Sequence, residues 1–168
     1  MEYKASKGMT VQIITIGVII LFAFISYKSI VGIMYSNGNL TPILVHSGVL
    51  IMLIGTVLFS YLYAPKKYSV YEHSLIIHRP IENKIISIDS ITEVRQIDKS
   101  ELKGTIRTFG VGGLFGNYGK FYTASLGNVT FYATQNKNFV LIVTNQKKIL
   151  ITPGDLGIIQ ELKNKLRY

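Results

Sequence analysis

Between Lys7 and Lys66 the chain carries one formally charged residue, Lys28. Two apolar runs fill that stretch, Met9–Tyr27 and Ile43–Tyr63. Each is close to the ~20 residues that cross a ~30 Å hydrocarbon layer as a helix. A core helix of a soluble protein of that length would keep a charged face, and neither run has one. Two transmembrane helices are therefore expected, about 9–27 and 43–63. Ser36-Asn37-Gly38-Asn39-Leu40-Thr41-Pro42 between them is a turn signal, too short for a domain, so the helices should form a hairpin.

Lys4 and Lys7 precede the first run, and Lys66 and Lys67 follow the second. Positive charge in short flanks marks the cytoplasmic side, which puts both outer ends inside. Lys28 at the far end argues weakly the other way and can snorkel to the interface. A secretory signal peptide is the competing expectation for the first run. Its apolar stretch is too long, and no small-x-small cleavage site follows before Lys28. His46, one turn into the second helix, has no charged companion and is expected to pack or to sit in interfacial water.

With residues 1–64 as the membrane anchor, 65–168 remain for one small domain. It holds 15 Lys and Arg (18 less Lys4, Lys7 and Lys28) against 8 Asp and Glu (9 less Glu2), a net +7. A basic domain tethered beside an anionic leaflet is drawn to it. Nucleic acid would also be attracted, but no recognition-helix or stacking signature accompanies the charge, so no nucleic-acid partner is expected. Without cysteine there are no disulfides or thiolate metal sites.

From Tyr68 the apolar period changes to two. Tyr68–Val70 and Leu75–Ile77 flank a tight turn at Glu72-His73-Ser74. Strands are then expected at 85–88, 92–97, 121–126, 129–134, 139–144 and 148–152. Asp155 is placed to cap a helix running to about Leu166, with Leu156, Ile159, Leu162 and Leu166 as its apolar stripe. Lys163, Lys165 and Arg167 suit its C-terminal end. The expected fold is a helical hairpin followed by seven or so antiparallel strands in a small barrel or sandwich, closed by that helix.

Residues 107–121, RTFGVGGLFGNYGKF, are the most distinctive string. A Rossmann reading from Gly110 and Gly112 fails because Phe115 stands at the third glycine position. A P-loop fails at Leu114 and Phe121. The string, with Leu126-Gly127, Phe131-Tyr132-Ala133-Thr134 and Ile151-Thr152-Pro153-Gly154-Asp155, resembles the bacterial pleckstrin-homology-like family, here as a membrane-anchored member. The likeness covers roughly Tyr68–Leu166 and implies the seven-stranded, helix-capped fold. Eukaryotic relatives of the fold often bind phosphoinositides through basic residues of the first hairpin. Glu72-His73-Ser74 has none, and that site is not carried over.

The glycines read either as structural, supplying positive φ and bulges, or as a mobile loop exposing Leu114, Phe115 and Tyr118 to a partner or the bilayer. Arg107 and Lys120 at its ends could then hold acidic groups. These five residues are the candidate contact site. His73 and His78 lie on opposite strand faces, and no carboxylate cluster or nucleophile elbow is present, so no catalytic, metal or cofactor site is expected and no enzyme activity. The expected function is a multi-pass module of the bacterial cytoplasmic (inner) membrane. Its soluble domain would face the cytoplasm and bind a protein partner or a second copy of itself. Binding of an anionic lipid headgroup, or service as an accessory subunit of a membrane complex, is the alternative.

Overall fold

The structure is a computed structural model that describes residues 1–166. Helix α1 (Met9–Met34) and helix α2 (Leu40–Tyr63) are antiparallel neighbours. Both are long and apolar enough to cross a membrane. The turn between them uses left-handed backbone at Asn37 (φ 48°) and Gly38 (φ 80°), as the Asn-Gly pair anticipates. Helix α1 runs seven residues past the expected end, through Lys28, because nothing in Ser29–Met34 breaks it. Helix α2 starts at Leu40, so Pro42 falls in its first turn, where no backbone donor is needed. His46 packs against Gly32 of α1, where an added Cβ would come within 2.6 Å of the imidazole Cδ2.

The rest is two open sheets and one helix. The first sheet has the order β1-β2-β3-β4, from β1 (Glu2–Lys4), β2 (Lys67–Val70), β3 (Ser74–His78) and β4 (Lys84–Ser87). The second comprises β5 (Ile91–Gln96), β6 (Ile106–Gly112), β7 (Asn117–Thr123), β8 (Gly127–Ala133), β9 (Val140–Thr144) and β10 (Lys148–Ile151). Its order is β5-β9-β10-β8-β7-β6. Helix α3 (Gly157–Lys165) packs on β5 and β2.

Of the two expected architectures, the sandwich is observed and the closed barrel is not. Three further expectations are corrected. The pairing is not wholly antiparallel: β8 and β10 run parallel, with Leu150 beside Phe131. The glycine-rich string is not a loop but most of the hairpin β6–β7. Residues Glu2–Lys4, grouped with the anchor in the sequence, add strand β1 to the first sheet, with Tyr3 opposite Tyr68. Three residues carry too little pattern to announce a strand, and their partner lies more than sixty residues away.

The main core joins the sheets: Tyr68, Leu75 and Ile77 of the first meet Val140, Ile142, Ile149 and Ile151 of the second, with Ile158 and Leu162 of α3 fully buried among them. On the other face of β9 and β10, Leu141 and Leu150 pack with the stacked rings of Phe121 and Phe131, 4.3 Å apart. Strands covered on both faces read as continuous apolar runs, as β9 and β10 do. Asp155, expected as the N-cap of α3, stands one residue before it: Leu156 holds the N-cap position, and Asp155 Oδ1 accepts the Gly157 N–H at 2.8 Å in the turn that leads into the helix. Arg167, expected near the end of that helix, lies outside the described residues.

Candidate interaction surfaces around the glycine-rich hairpin

Strands β6 and β7 cross so closely at Gly110 and Gly119 that neither tolerates a side chain. They face each other in register, at φ 116° and 123°. A Cβ on Gly110 would lie 2.8 Å from the Gly119 Cα. Here the structural role of the glycines is required by geometry. Beyond the crossing the hairpin closes in a tight tip, Gly113–Gly116, with the Gly113 N–H donating to the Gly116 carbonyl at 2.9 Å.

That tip rests on the chain's own helices. The Phe115 N–H donates to Thr15 Oγ1 of α1 at 3.0 Å, which holds Phe115 in left-handed backbone (φ 58°). Its ring meets Tyr61 of α2 edge-to-face at 5.8 Å and closes an apolar hollow of about 510 Å³ that Ile19, Phe22 and Val57 also line. The Tyr118 hydroxyl donates to the Ser60 carbonyl of α2, and burial pushes its phenol above the usual range. Leu114 is 6% exposed and Tyr118 4%.

The expectation that Leu114, Phe115 and Tyr118 are free for a partner is thus corrected: Leu114 and Tyr118 are buried and Phe115 is half-buried. The physical reason is supply. Helices without a charged face offer apolar surface beside a tip that has apolar side chains to bury.

Arg107 and Lys120 end up on opposite faces of the hairpin. Arg107 pairs across the strands with the inward-facing Phe121, and lines a small hollow with Ile14 of α1 and Asn117. Lys120 points to the other face and enters a groove of about 400 Å³ between α2 and the splayed edges of the two sheets. The floor of the groove is Thr130 and Tyr132 of β8. Phe59 and Tyr63, in the last turns of α2, form one wall, stacked at 4.4 Å.

Three more cations line this groove: Arg79 at the end of β3, Lys84 of β4 and Lys147 of the β9–β10 turn. The Arg79 guanidinium is 5.5 Å from the Tyr63 ring and 5.8 Å from that of Tyr132, within cation–π range of both. Its side chain is 11% exposed, and its Nε donates to the Glu82 carbonyl at 2.9 Å. Burial, then repulsion from Lys84, draws the Lys147 ammonium below its ordinary pKa. Sequence inspection missed Arg79, Lys84 and Lys147, which are scattered over 69 positions with no spacing that marks them as a set.

A second surface is the outer edge of β6, which pairs only with β7. Ile106 and Phe109 on it are 65% and 68% exposed. Ile106 stands opposite Tyr122, so two large apolar side chains share one uncovered face. Nothing in the sequence separated these from ordinary strand residues.

The family model for the bacterial PH domain matches residues 66–168, from the start of β2 through α3. The chain belongs to that family. No curated protein and no solved structure matches it.

Proposed function

We propose that this bacterial PH domain is a membrane-anchored interaction module that receives an extended, acidic segment of a partner protein on β6. The observation that carries the proposal is the bare edge. At seven residues β6 is the longest uncovered strand edge of either sheet, against six for β5, four for β4 and three for β1. An unpaired row of backbone donors and acceptors is a template for another strand. Lys103 precedes it, Arg107 lies near its start, and Lys120 sits across the hairpin. These charges favour an acidic segment over a second copy of a chain with net charge +9.

The anchor supports this reading. Ile13, Ile20, Ile51 and Ile54 project from α1 and α2 with more than half their surface uncovered. Leaving such side chains in water costs about 1.5–3 kcal/mol each relative to burial, a cost that a bilayer removes. Lys4, Lys7, Lys66 and Lys67 at the domain end support a cytoplasmic location for that end, and for the domain, since positive charge in short flanks favours that side. At 1.5 Å per residue, α1 spans about 39 Å against a hydrocarbon layer of ~30 Å. The surplus is about six residues, and Ile14 and Thr15, where the hairpin tip docks, close the first six or so residues of α1. The sheet edge is thereby held at a fixed height beside the membrane rather than swinging on a tether.

A benzophenone photocrosslinker placed at Ile106 of the full chain in cells tests this. A discrete adduct, absent from a crosslinker at exposed Tyr71 and reduced several-fold by Arg107→Glu, is expected. An adduct of twice the chain's mass would replace the partner with a second copy. Absence of any adduct at Ile106 would sink the proposal.

A further inference from the structure

We infer that the groove between the end of α2 and the splayed sheets binds the phosphate of an anionic phospholipid, with the lipid's apolar part against Phe59, Tyr63 and Phe109. The inference rests on the reading that α1 and α2 cross the bilayer, because that puts the last turns of α2 at the lipid interface.

Four cations converge on one groove of about 400 Å³, and its lining contains no carboxylate. Gathering like charges without an anion is unfavourable, and more so where water is partly excluded. Glu82, the acid nearest Arg79, sits 4.0 Å from its Nη2, beyond hydrogen-bond reach, with a carboxylate that is 82% exposed. The two rings beside Arg79 flank the guanidinium, while its terminal nitrogens make no hydrogen bond among the described residues and have only the long contact to Glu82. A planar fork held this way suits phosphate oxygens.

The remaining walls select an amphiphile over a free anion. Phe59 and Tyr63 continue directly into the apolar helix, and Phe109 is largely exposed at the groove's rim. Aromatic side chains with one apolar side and one wet end are typical of the headgroup level. A ligand with a phosphate beside acyl chains matches this sequence of surfaces: cations below, rings at the middle, hydrocarbon above. The groove lies at the open end of the first β-hairpin, the end of β3 opposite the hairpin's turn, which has no basic residue.

The test uses the full chain in nanodiscs of equal phosphatidylcholine and phosphatidylglycerol, followed by native mass spectrometry of the lipids that stay bound. Among the lipids that stay bound, phosphatidylglycerol should outnumber phosphatidylcholine at least tenfold. Lys120 and Lys147 are both exposed, so Lys120→Ala with Lys147→Ala should leave melting unchanged and lower phosphatidylglycerol binding roughly 25-fold, about fivefold per lysine. Lys99→Ala with Lys103→Ala removes the same charge from the opposite side of the domain and should change little. Equal losses in the two double variants would mean bulk charge attraction and overturn the site. Displacement of the lipid by micromolar pyrophosphate would overturn the phospholipid in favour of a soluble polyphosphate. Incorporation into nanodiscs with no lipid preference would defeat the groove alone. A chain that fails to co-elute with nanodiscs would defeat the anchor reading and the groove with it.

Discussion

Replacing Leu114 and Phe115 with Ser should release the hairpin tip from the helices while leaving the β-domain folded. Leu114 is almost fully buried, and truncating such a side chain costs about 2–3 kcal/mol once the residual cavity is counted. Phe115 is half-buried and forfeits about 1 kcal/mol of area, together with an edge-to-face contact on Tyr61 worth about 0.5–1.5 kcal/mol. Partial closure of the helices over the gap recovers some of this, so a net loss of about 3 kcal/mol is expected.

Neither residue belongs to the main core or to the Phe121–Phe131 cluster. The loss should therefore appear as local opening. Hydrogen exchange on the full chain in nanodiscs reads it directly: the backbone amide at position 115, which Phe115 donates to Thr15 in the native chain, should exchange about a hundredfold faster in the variant, at 1.4 kcal/mol per tenfold. Amides of β9 and β10 should keep their protection. A uniform loss across β8, β9 and β10 would show that the tip is part of the domain core, and an unchanged amide at position 115 would show that the docking carries no energy.

Three further outcomes follow from particular contacts. Leu162→Ala removes a fully buried side chain of α3 from the joint between the sheets and should cost about 2–5 kcal/mol, lowering Tm by about 10 °C or more; an unchanged Tm would reject the closing role of α3. Burial, then its O–H donated to Glu161 Oε2 at 2.8 Å, pushes the Tyr3 phenol from 10 up to about 12. The folded state thus keeps a proton that the unfolded chain releases, so this contribution is full below pH 10 and is lost as pH rises to about 12. Thermal melts between about pH 9 and pH 11.5 should fall less steeply in Tyr3→Phe than in the native chain, and parallel curves would refute the link. Because the chain has no cysteine, Asn39→Cys introduces a single label, which an impermeant maleimide should reach only from outside the cell; labelling from the cytoplasmic side alone would reverse the topology.

What was legible in the sequence follows the length scale of each signal. The absence of charge over some sixty residues is a long signal, and both helices were placed by it. Period-two alternation is shorter but repeated, and most strands from β2 to β10 fall within a few residues of expectation. Strand β6 was not legible, because a run such as Phe109-Gly110-Val111-Gly112-Gly113 argues against a strand on propensity alone. Only the crossing of Gly110 on Gly119 explains why those glycines sit in paired backbone. Helix α3 was read with Leu156 as its first inward residue. It begins at Gly157 instead, so Ile158 is fully buried with Leu162, while Leu156, Ile159 and Leu166 lie at the margin of the core.

The candidate site divides along the same line. Apolar side chains such as Leu114, Phe115 and Tyr118 in a glycine-rich segment need apolar surface to meet, and here the chain's own helices supply it. Sequence could not rank a partner in the same chain against one in another, since Phe115 and Thr15 are a hundred positions apart. Tethering decides it: helices joined covalently to the domain act at an effective concentration in the millimolar range, which a separate partner must outcompete for the same three side chains. Under the readings proposed above, contact with anything outside the chain falls to surfaces the docking leaves uncovered. Those are the outer edge of β6 and the groove where Lys120 meets Arg79, Lys84 and Lys147, and both are oriented by the docked tip. Undocking it with Ser at positions 114 and 115 should therefore weaken both contacts together, although neither residue lies in either one.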